Sequence, residues 1–200
     1  MAPRSAETRE RLIEEAELLF ARSGVQGTAT RQIVEASGQR NASAVSYHFG
    51  SREGLLLELL ARRGGPVDTE RGRLRSELGD GAATADLVRC LVVPYAAMLE
   101  SEGARAYLQI VAQLRGRFAA WRVESDEATS RHLSEILDEL ERRPTGPDAI
   151  RRERLVAMIM LMTASAAERA RVLDDDGNPL LAHADFVDNL VEMCTAVLEV

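Results

Sequence analysis

Hydrophobic residues recur at helical spacing along the chain, and no stretch alternates apolar and polar residues for long enough to form a strand. From Leu12 to Phe20 the apolar residues share one helix face, the opposite face is arginine and glutamate, and Gly24 is placed to end the helix. The pattern therefore predicts an all-α fold.

Two very short helices are predicted next. Thr28 or Thr30 is expected to cap the first of them, which ends at Gly38. After a turn, the stretch NASAVSYHF (41–49) forms the second, with its valine and phenylalanine on the inner face because they are four residues apart.

Ser51 is expected to cap a leucine-rich fourth helix that ends at Gly64, Gly65 and Pro66. Beyond it the pattern predicts six more helices, at about 67–79, 84–100, 103–116, 119–142, 148–173 and 183–199, with Pro94 kinking or breaking the second of them. We therefore expect an N-terminal domain of residues 1–50 and a helical domain of residues 51–200, connected by helix 51–63.

Two short helices joined by a glycine-containing turn and supported by a longer helix form a helix-turn-helix, whose second helix enters the major groove of DNA. Only the outer face and N-terminal end of that helix reach base edges. The residues expected to face outward are small, amide, hydroxyl or cationic: Arg40, Asn41, Ser43, Ala44, Ser46, Tyr47 and His48.

The formal net charge of −7 argues at first against a nucleic-acid partner, because neutralising phosphates needs clustered cations. The charge is unevenly distributed, however. Residues 1–63 contain nine arginines and eight acidic residues, a balance of +1, and the remainder of the chain carries −8. The first 63 residues are therefore compatible with DNA binding.

The order TRERLIEEAELLFARSGVQGTATRQIVEASG followed by SAVSYHFGSREGLLLELL resembles the N-terminal domain of TetR-family repressors over nearly all of residues 6–63. The most diagnostic piece is Tyr-His-Phe followed by a small, a basic and an acidic residue. This chain has ten residues between Gly38 and Phe49 where the commoner family pattern has nine, which leaves the register of residues 39–43 open.

The resemblance implies a sequence-specific transcriptional regulator of double-stranded DNA, a repressor relieved by a small-molecule effector. It implies that Thr28, Thr30 and Arg31 touch phosphate from the second helix, Tyr47 and His48 from the end of the recognition helix, and Arg52 from the start of the fourth helix. Packing of Tyr47 and His48 on helix 1, and an N-cap role for Asn41, remain the alternatives. Because a first-turn arginine is unfavourable with the helix dipole, Arg52 favours a phosphate partner.

The run from Leu155 to Met162 is apolar on every face, so a helix there must be covered on both sides. The last helix has an apolar stripe of its own: Phe186, Val187, Leu190, Val191, Cys194, Val197 and Leu198. We expect helices 148–173 and 183–199 to pack with their copies as a four-helix bundle in a homodimer, as the resemblance also implies. Two recognition helices would then read a near-palindromic operator. The alternative is that both helices complete a monomeric core.

Aromatic residues cluster between residues 95 and 121, and effector pockets are mostly apolar with a few polar groups. The candidate pocket residues are Tyr95, Met98, Tyr107, Gln109, Gln113, Phe118, Trp121 and Met162. An ordinary core at helical spacing explains the same pattern.

The main competing class is an all-α enzyme, which would need a site built from scattered residues, since GxSxG, HExxH, GxxxxGK[ST] and GxGxxG are all absent. We therefore expect no catalytic residues, metal or cofactor. DDDGN resembles the start of a calcium loop, but Pro179 and Asp185 replace the required glycine and glutamate. Without a 20-residue apolar run or a signal peptide, we expect a cytoplasmic protein with no membrane partner.

Overall fold

The computed structural model describes residues 3–41, 43–79, 81–114 and 127–200, and the regular secondary structure of these residues is all helical, as predicted. The helices are α1 (Pro3–Ser23), α2 (Thr30–Ala36), α3 (Ala44–Phe49), α4 (Arg52–Ser76), α5 (Thr84–Ala96) with a 3-10 turn (Ala97–Glu100), α6 (Glu102–Gln113), α7 (Glu127–Glu141), α8 (Asp148–Asp174) and α9 (His183–Glu199). Of these described helices, none is long and apolar enough to cross a lipid bilayer.

Helices α1 to α3 pack around a small apolar core that all three contribute to. Phe20, Ile33 and Val45 are each no more than 1% exposed. Gly24 has a φ of +86° directly after α1, which confirms the predicted helix end, because a residue with a side chain is strained there. The Ser51 hydroxyl accepts the N–H of Gly54 at 2.9 Å, which confirms the cap of α4.

Neither predicted threonine caps α2. The helix begins after Ala29, whose N–H is satisfied by Oε1 of Gln32 at 2.7 Å. The Thr28 hydroxyl is unavailable, because it donates to the carbonyls of Leu19 and Gly24 at the end of α1. The cap prediction was wrong because this hydroxyl closes the preceding turn instead.

Helix α4 does not end at Gly64, Gly65 and Pro66 but continues without interruption to Ser76. A proline inside a helix costs about 3 kcal/mol, through its missing N–H and the clash of its ring with the preceding turn. Beyond Pro66, Val67 and Arg71 are buried against the C-terminal helices, and this packing offsets the cost. The predicted helix 67–79 is therefore the second half of α4.

Helical irregularities occur in α5 and α7. Past Pro94, α5 continues as far as Ala96 before it tightens into the 3-10 turn. The backbone of Ser130, with φ −139°, interrupts the helical geometry of α7. The predicted helix start at residue 119 lies outside the described residues.

In the C-terminal domain, α6 packs on α8, α4 packs on α5 and α7, and α9 packs on α5 and α8. The predicted partner-facing stripe of α9 is largely used inside the subunit, because α9 lies against two helices of its own chain. Five residues of that stripe are buried and two are partly buried against the same core: Val187, Leu190, Val191, Cys194 and Leu198, then Phe186 and Val197.

Candidate nucleic-acid interface

The outer side of α3 and the turn before it form a polar, exposed surface. Tyr47 is 79% exposed, whereas Val45, two residues earlier, is 1% exposed and faces the core. The other exposed residues predicted for this surface are Arg40, Asn41, Ser43 and Ser46. The structure thus brings together most of the predicted base-reading set.

Two of the predicted outward residues are placed differently. Ala44 is buried at 6% exposure, because α3 begins at residue 44 rather than 41 and its first residue turns inward beside Val45. His48 is half-buried, with its ring edge-on to Tyr47 at 4.9 Å between centroids and tilted against Phe49. The exposed face of α3 therefore contains fewer residues than the sequence predicted.

Asn41 organises the turn that leads into α3. Its Oδ1 accepts the N–H of Ser43 at 3.0 Å and its carbonyl accepts the N–H of Ala44 at 3.0 Å. Ser43, not Asn41, occupies the N-cap position, and its side chain makes no cap hydrogen bond. The Asn41 side chain therefore fixes the entry of the chain into the helix.

Helix α2 contributes one prominent cation. The Arg31 side chain is 84% exposed and pairs with Glu35 one turn later at 2.6 Å. Thr30, the first residue of α2, is partly exposed, whereas Thr28 is 2% exposed and does not reach the surface. Arg31 can therefore exchange an exposed, weak ion pair for a phosphate.

Arg52 has intramolecular partners that the sequence argument did not foresee. Its Nε donates to the carbonyl of Thr28 at 3.1 Å, a terminal nitrogen donates to the carbonyl of Val25, and the guanidinium lies over the Phe20 ring at 5.1 Å. These contacts offset the unfavourable interaction between the Arg52 charge and the dipole of α4 in the first turn of that helix. Arg52 thus fixes α4 to the turn between α1 and α2.

Gln113, predicted to line an effector pocket, instead connects α6 to the N-terminal helices. Its Oε1 accepts the N–H of Val25 at 2.7 Å, and its Nε2 donates to the carbonyl of Phe20 at 3.1 Å. Gln109, one turn earlier, donates to the exposed Asp174 carboxylate at 2.7 Å. Neither amide points into the core.

Arg63 joins three helices at a second point between the two parts of the chain. Its guanidinium donates to both carboxylate oxygens of Glu17 on α1 at 2.8 Å, and to the carbonyl of Gly103 on α6 at 2.7 Å. Glu17 is only 5% exposed, so the pair is shielded from water on one side. Arg63 therefore holds α1, α4 and α6 together through one hydrogen-bonded contact.

Of the remaining predicted pocket residues, Tyr95, Tyr107 and Met162 are buried and Met98 is half-buried. The Tyr95 and Tyr107 rings meet edge-on at 6.3 Å between centroids. Phe118 and Trp121 lie outside the described residues.

Sequence reasoning missed a charged group beside these tyrosines. Arg71 on α4 is 5% exposed, and burial lowers the pKa of its guanidinium, against the opposing effects of Tyr107 and Asp68. One feature of the sequence could have indicated that Arg71 is buried. It follows Gly64 by seven residues, about two helical turns, so both residues lie on the buried face of α4. Because the helix was expected to end at Gly64, the two residues were not assigned to the same helix.

These features describe a helix-turn-helix arrangement whose exposed, polar third helix is held against a larger helical domain. Residues 12–59 match the family model described as bacterial regulatory proteins, tetR family. The N-terminal part of the chain is therefore similar to that family.

Solved structures share the fold across the whole chain. NalD of Pseudomonas aeruginosa, described as the secondary repressor of the MexAB-OprM multidrug efflux pump, is 24% identical over 96% of both chains, with a TM-score of 0.62. A TetR-family regulator of Streptomyces coelicolor is 18% identical over 99% of this chain and 98% of that one, with a TM-score of 0.51. No curated protein sequence is significantly similar to this chain.

Proposed function

We propose that this protein is a homodimeric repressor that binds a near-palindromic operator and leaves it when a small molecule binds the C-terminal domain. The observation that carries the proposal is the exposed polar surface of α3 on a three-helix unit that Arg63 and Gln113 join to α6. Arg63 does so through Glu17 on α1, and Gln113 through Phe20 and Val25. In this division residues 1–50 read DNA and residues 51–200 sense and dimerise. The proposed DNA contacts are Thr30, Arg31, Arg40, Asn41, Ser43, Ser46, Tyr47 and His48.

Regulation follows from linkage between the two sites. An effector that prefers a conformation with misplaced recognition helices weakens DNA binding, and DNA weakens effector binding by the same factor. Helix α4 provides a lever of 25 residues, roughly 37 Å at 1.5 Å per residue, that begins beside α3 and ends beside α7, where Arg75 pairs with Glu139. A shift at its far end therefore changes the position of α3.

Dimerisation is supported by apolar residues that the subunit leaves uncovered on α8. Met160 is 48% exposed within the apolar run, and Ala157, one turn earlier, is also exposed. The proposed bundle uses this outer side of α8 together with the outer side of α9.

We expect Met160→Glu to yield monomers in sedimentation velocity at micromolar concentration, because two buried carboxylates would face each other across the symmetry axis. Leu18→Glu, on α1 at 43% exposure, is the matched control and should remain dimeric. A monomeric wild-type protein would contradict the dimer proposal.

DNA binding is tested by fluorescence anisotropy with duplexes from the region flanking the protein's own gene, at two salt concentrations. Tyr47→Ala should weaken binding at least tenfold without changing the melting temperature, because the ring is 79% exposed and adds little to the fold. A plot of the logarithm of the binding constant against the logarithm of the salt concentration gives a slope, called here the salt slope. Arg31→Gln should reduce the magnitude of this salt slope by roughly one for each phosphate that the side chain no longer neutralises.

Arg171→Gln is the control for Arg31→Gln, since it removes an arginine with a similar intrahelical pair, to Glu168, from the C-terminal domain. It should leave the affinity and the salt slope unchanged. If no duplex selected from a random pool binds better than unrelated DNA, the regulator proposal fails.

A further inference from the structure

The C-terminal helices enclose a guanidinium group, that of Arg71, with an Nε that is unpaired in the described part of the chain. Arg71 is 5% exposed, and its Nε has no hydrogen-bond acceptor within the described residues. Within the same residues its ion-pair partner is Asp68, with 3.9 Å between Nη1 and Oδ1, which is too long for a hydrogen bond. A buried charge with so little compensation is costly unless a partner arrives.

Asp68 cannot move closer without cost, because it already has two partners. Its Oδ1 accepts the N–H of Leu133 at 2.7 Å and its Oδ2 accepts the N–H of His132 at 3.0 Å. These bonds satisfy the backbone directly after the irregular position at Ser130 in α7. A tighter pair with Arg71 would leave buried N–H groups unsatisfied, so an external anion is the better partner for the guanidinium.

The surroundings suit the head group and the body of an amphiphilic acid. The Tyr107 hydroxyl lies against Gly64, two turns before Arg71 on the same face of α4, where a β-carbon would approach it to 3.0 Å. Tyr107 lies on α6, which packs on α8, and α8 carries the buried Met158 and Met162, whose flexible side chains adapt to an inserted ligand. A cation, a phenol and adaptable apolar side chains are thus combined in one region.

We propose that Arg71 binds the acid group of an apolar carboxylic acid, whose hydrocarbon body enters the core beside Tyr107, and that this acid is the effector. The effector role of this acid rests on the proposed function. A planar guanidinium matches a carboxylate through two parallel hydrogen bonds, and desolvation strengthens them. Binding displaces α4 at Arg71, about five turns beyond its start beside α3.

The test uses the full-length protein without DNA at pH 8, where carboxylic acids are ionised. Octanoate, decanoate and 4-phenylbutyrate are titrated by calorimetry and by thermal shift, each against its neutral amide. We expect at least one acid to bind and to raise the melting temperature, with its amide at least tenfold weaker. Arg71→Met should abolish the preference for acids, whereas Arg75→Met, which removes the arginine one turn later that pairs with Glu139, should keep it.

The acid site is disproved if no acid binds, if the amides bind as tightly as the acids, or if Arg71→Met retains the preference. The comparison of acid with amide in the wild-type protein does not depend on the variant folding. An acid that binds through Arg71 but leaves DNA affinity unchanged would retain the site and disprove its effector role. Failure of DNA binding itself would be seen separately, in the anisotropy assay.

Discussion

The contact of Gln113 with the N-terminal helices makes a measurable contribution to the linkage between the two parts of the chain. Replacing it with alanine removes the hydrogen bonds to Val25 and Phe20 and leaves the N–H of a residue that is 3% exposed without its acceptor. Each neutral hydrogen bond contributes roughly 0.5–1.5 kcal/mol net, so the pair is worth about 1–3 kcal/mol. For a chain of this size that corresponds to a fall of roughly 2–4 °C in melting temperature per kcal/mol.

The assay is urea unfolding followed by circular dichroism at one fixed protein concentration, because the stability of the proposed dimer would depend on concentration. The control is Gln109→Ala, on the same helix one turn earlier, whose amide bonds only the exposed Asp174 carboxylate. The control should cost less than about 0.5 kcal/mol. If Gln113→Ala costs no more than Gln109→Ala, the contact contributes nothing and the argument for linkage through α6 is wrong.

Two further predictions concern close packing. Gly54→Ala should destabilise the protein by at least about 1 kcal/mol in the same urea assay, because the new β-carbon would overlap the backbone carbonyl oxygen of Phe49; Gly103→Ala, in the first turn of α6 with only ordinary contacts, should be neutral or stabilising. Burial raises the pKa of Cys194 to about 12, so roughly one thiol in ten thousand is ionised at pH 8, and iodoacetamide should modify it only in denaturant, as measured by mass spectrometry. Rapid modification of the native protein would show that α9 does not pack on the core as described.

The sequence was sufficient where local chemistry decides the structure. Gly24 ends α1 and Ser51 caps α4 as predicted, because a positive φ and a first-turn N–H each need a particular residue type nearby. The exposure of the outer face of α3 was also largely predictable, since Tyr47 is a large side chain on the face opposite the buried Val45.

The sequence was insufficient where tertiary packing overrides a local preference. Pro66 predicts a helix end, but α4 continues past it because the burial of Val67 and Arg71 stabilises the longer helix. The glutamines of α6 read as polar groups in a pocket, but the amide of Gln113 reaches backbone atoms more than 80 residues away in the sequence. No window of neighbouring residues contains that information.

The three-way contact of Arg63 has a consequence for protein engineering. A chimeric protein made by joining residues 1–50 to a foreign helical domain would keep Glu17 but would lose both Arg63 and the carbonyl of Gly103 to which Arg63 donates. The Glu17 carboxylate would then have no guanidinium partner at the interface between the two joined domains. A transplant should therefore include α4 at least to Arg63. The recipient α6 should present a free backbone carbonyl at the equivalent of Gly103 and a glutamine at the equivalent of Gln113.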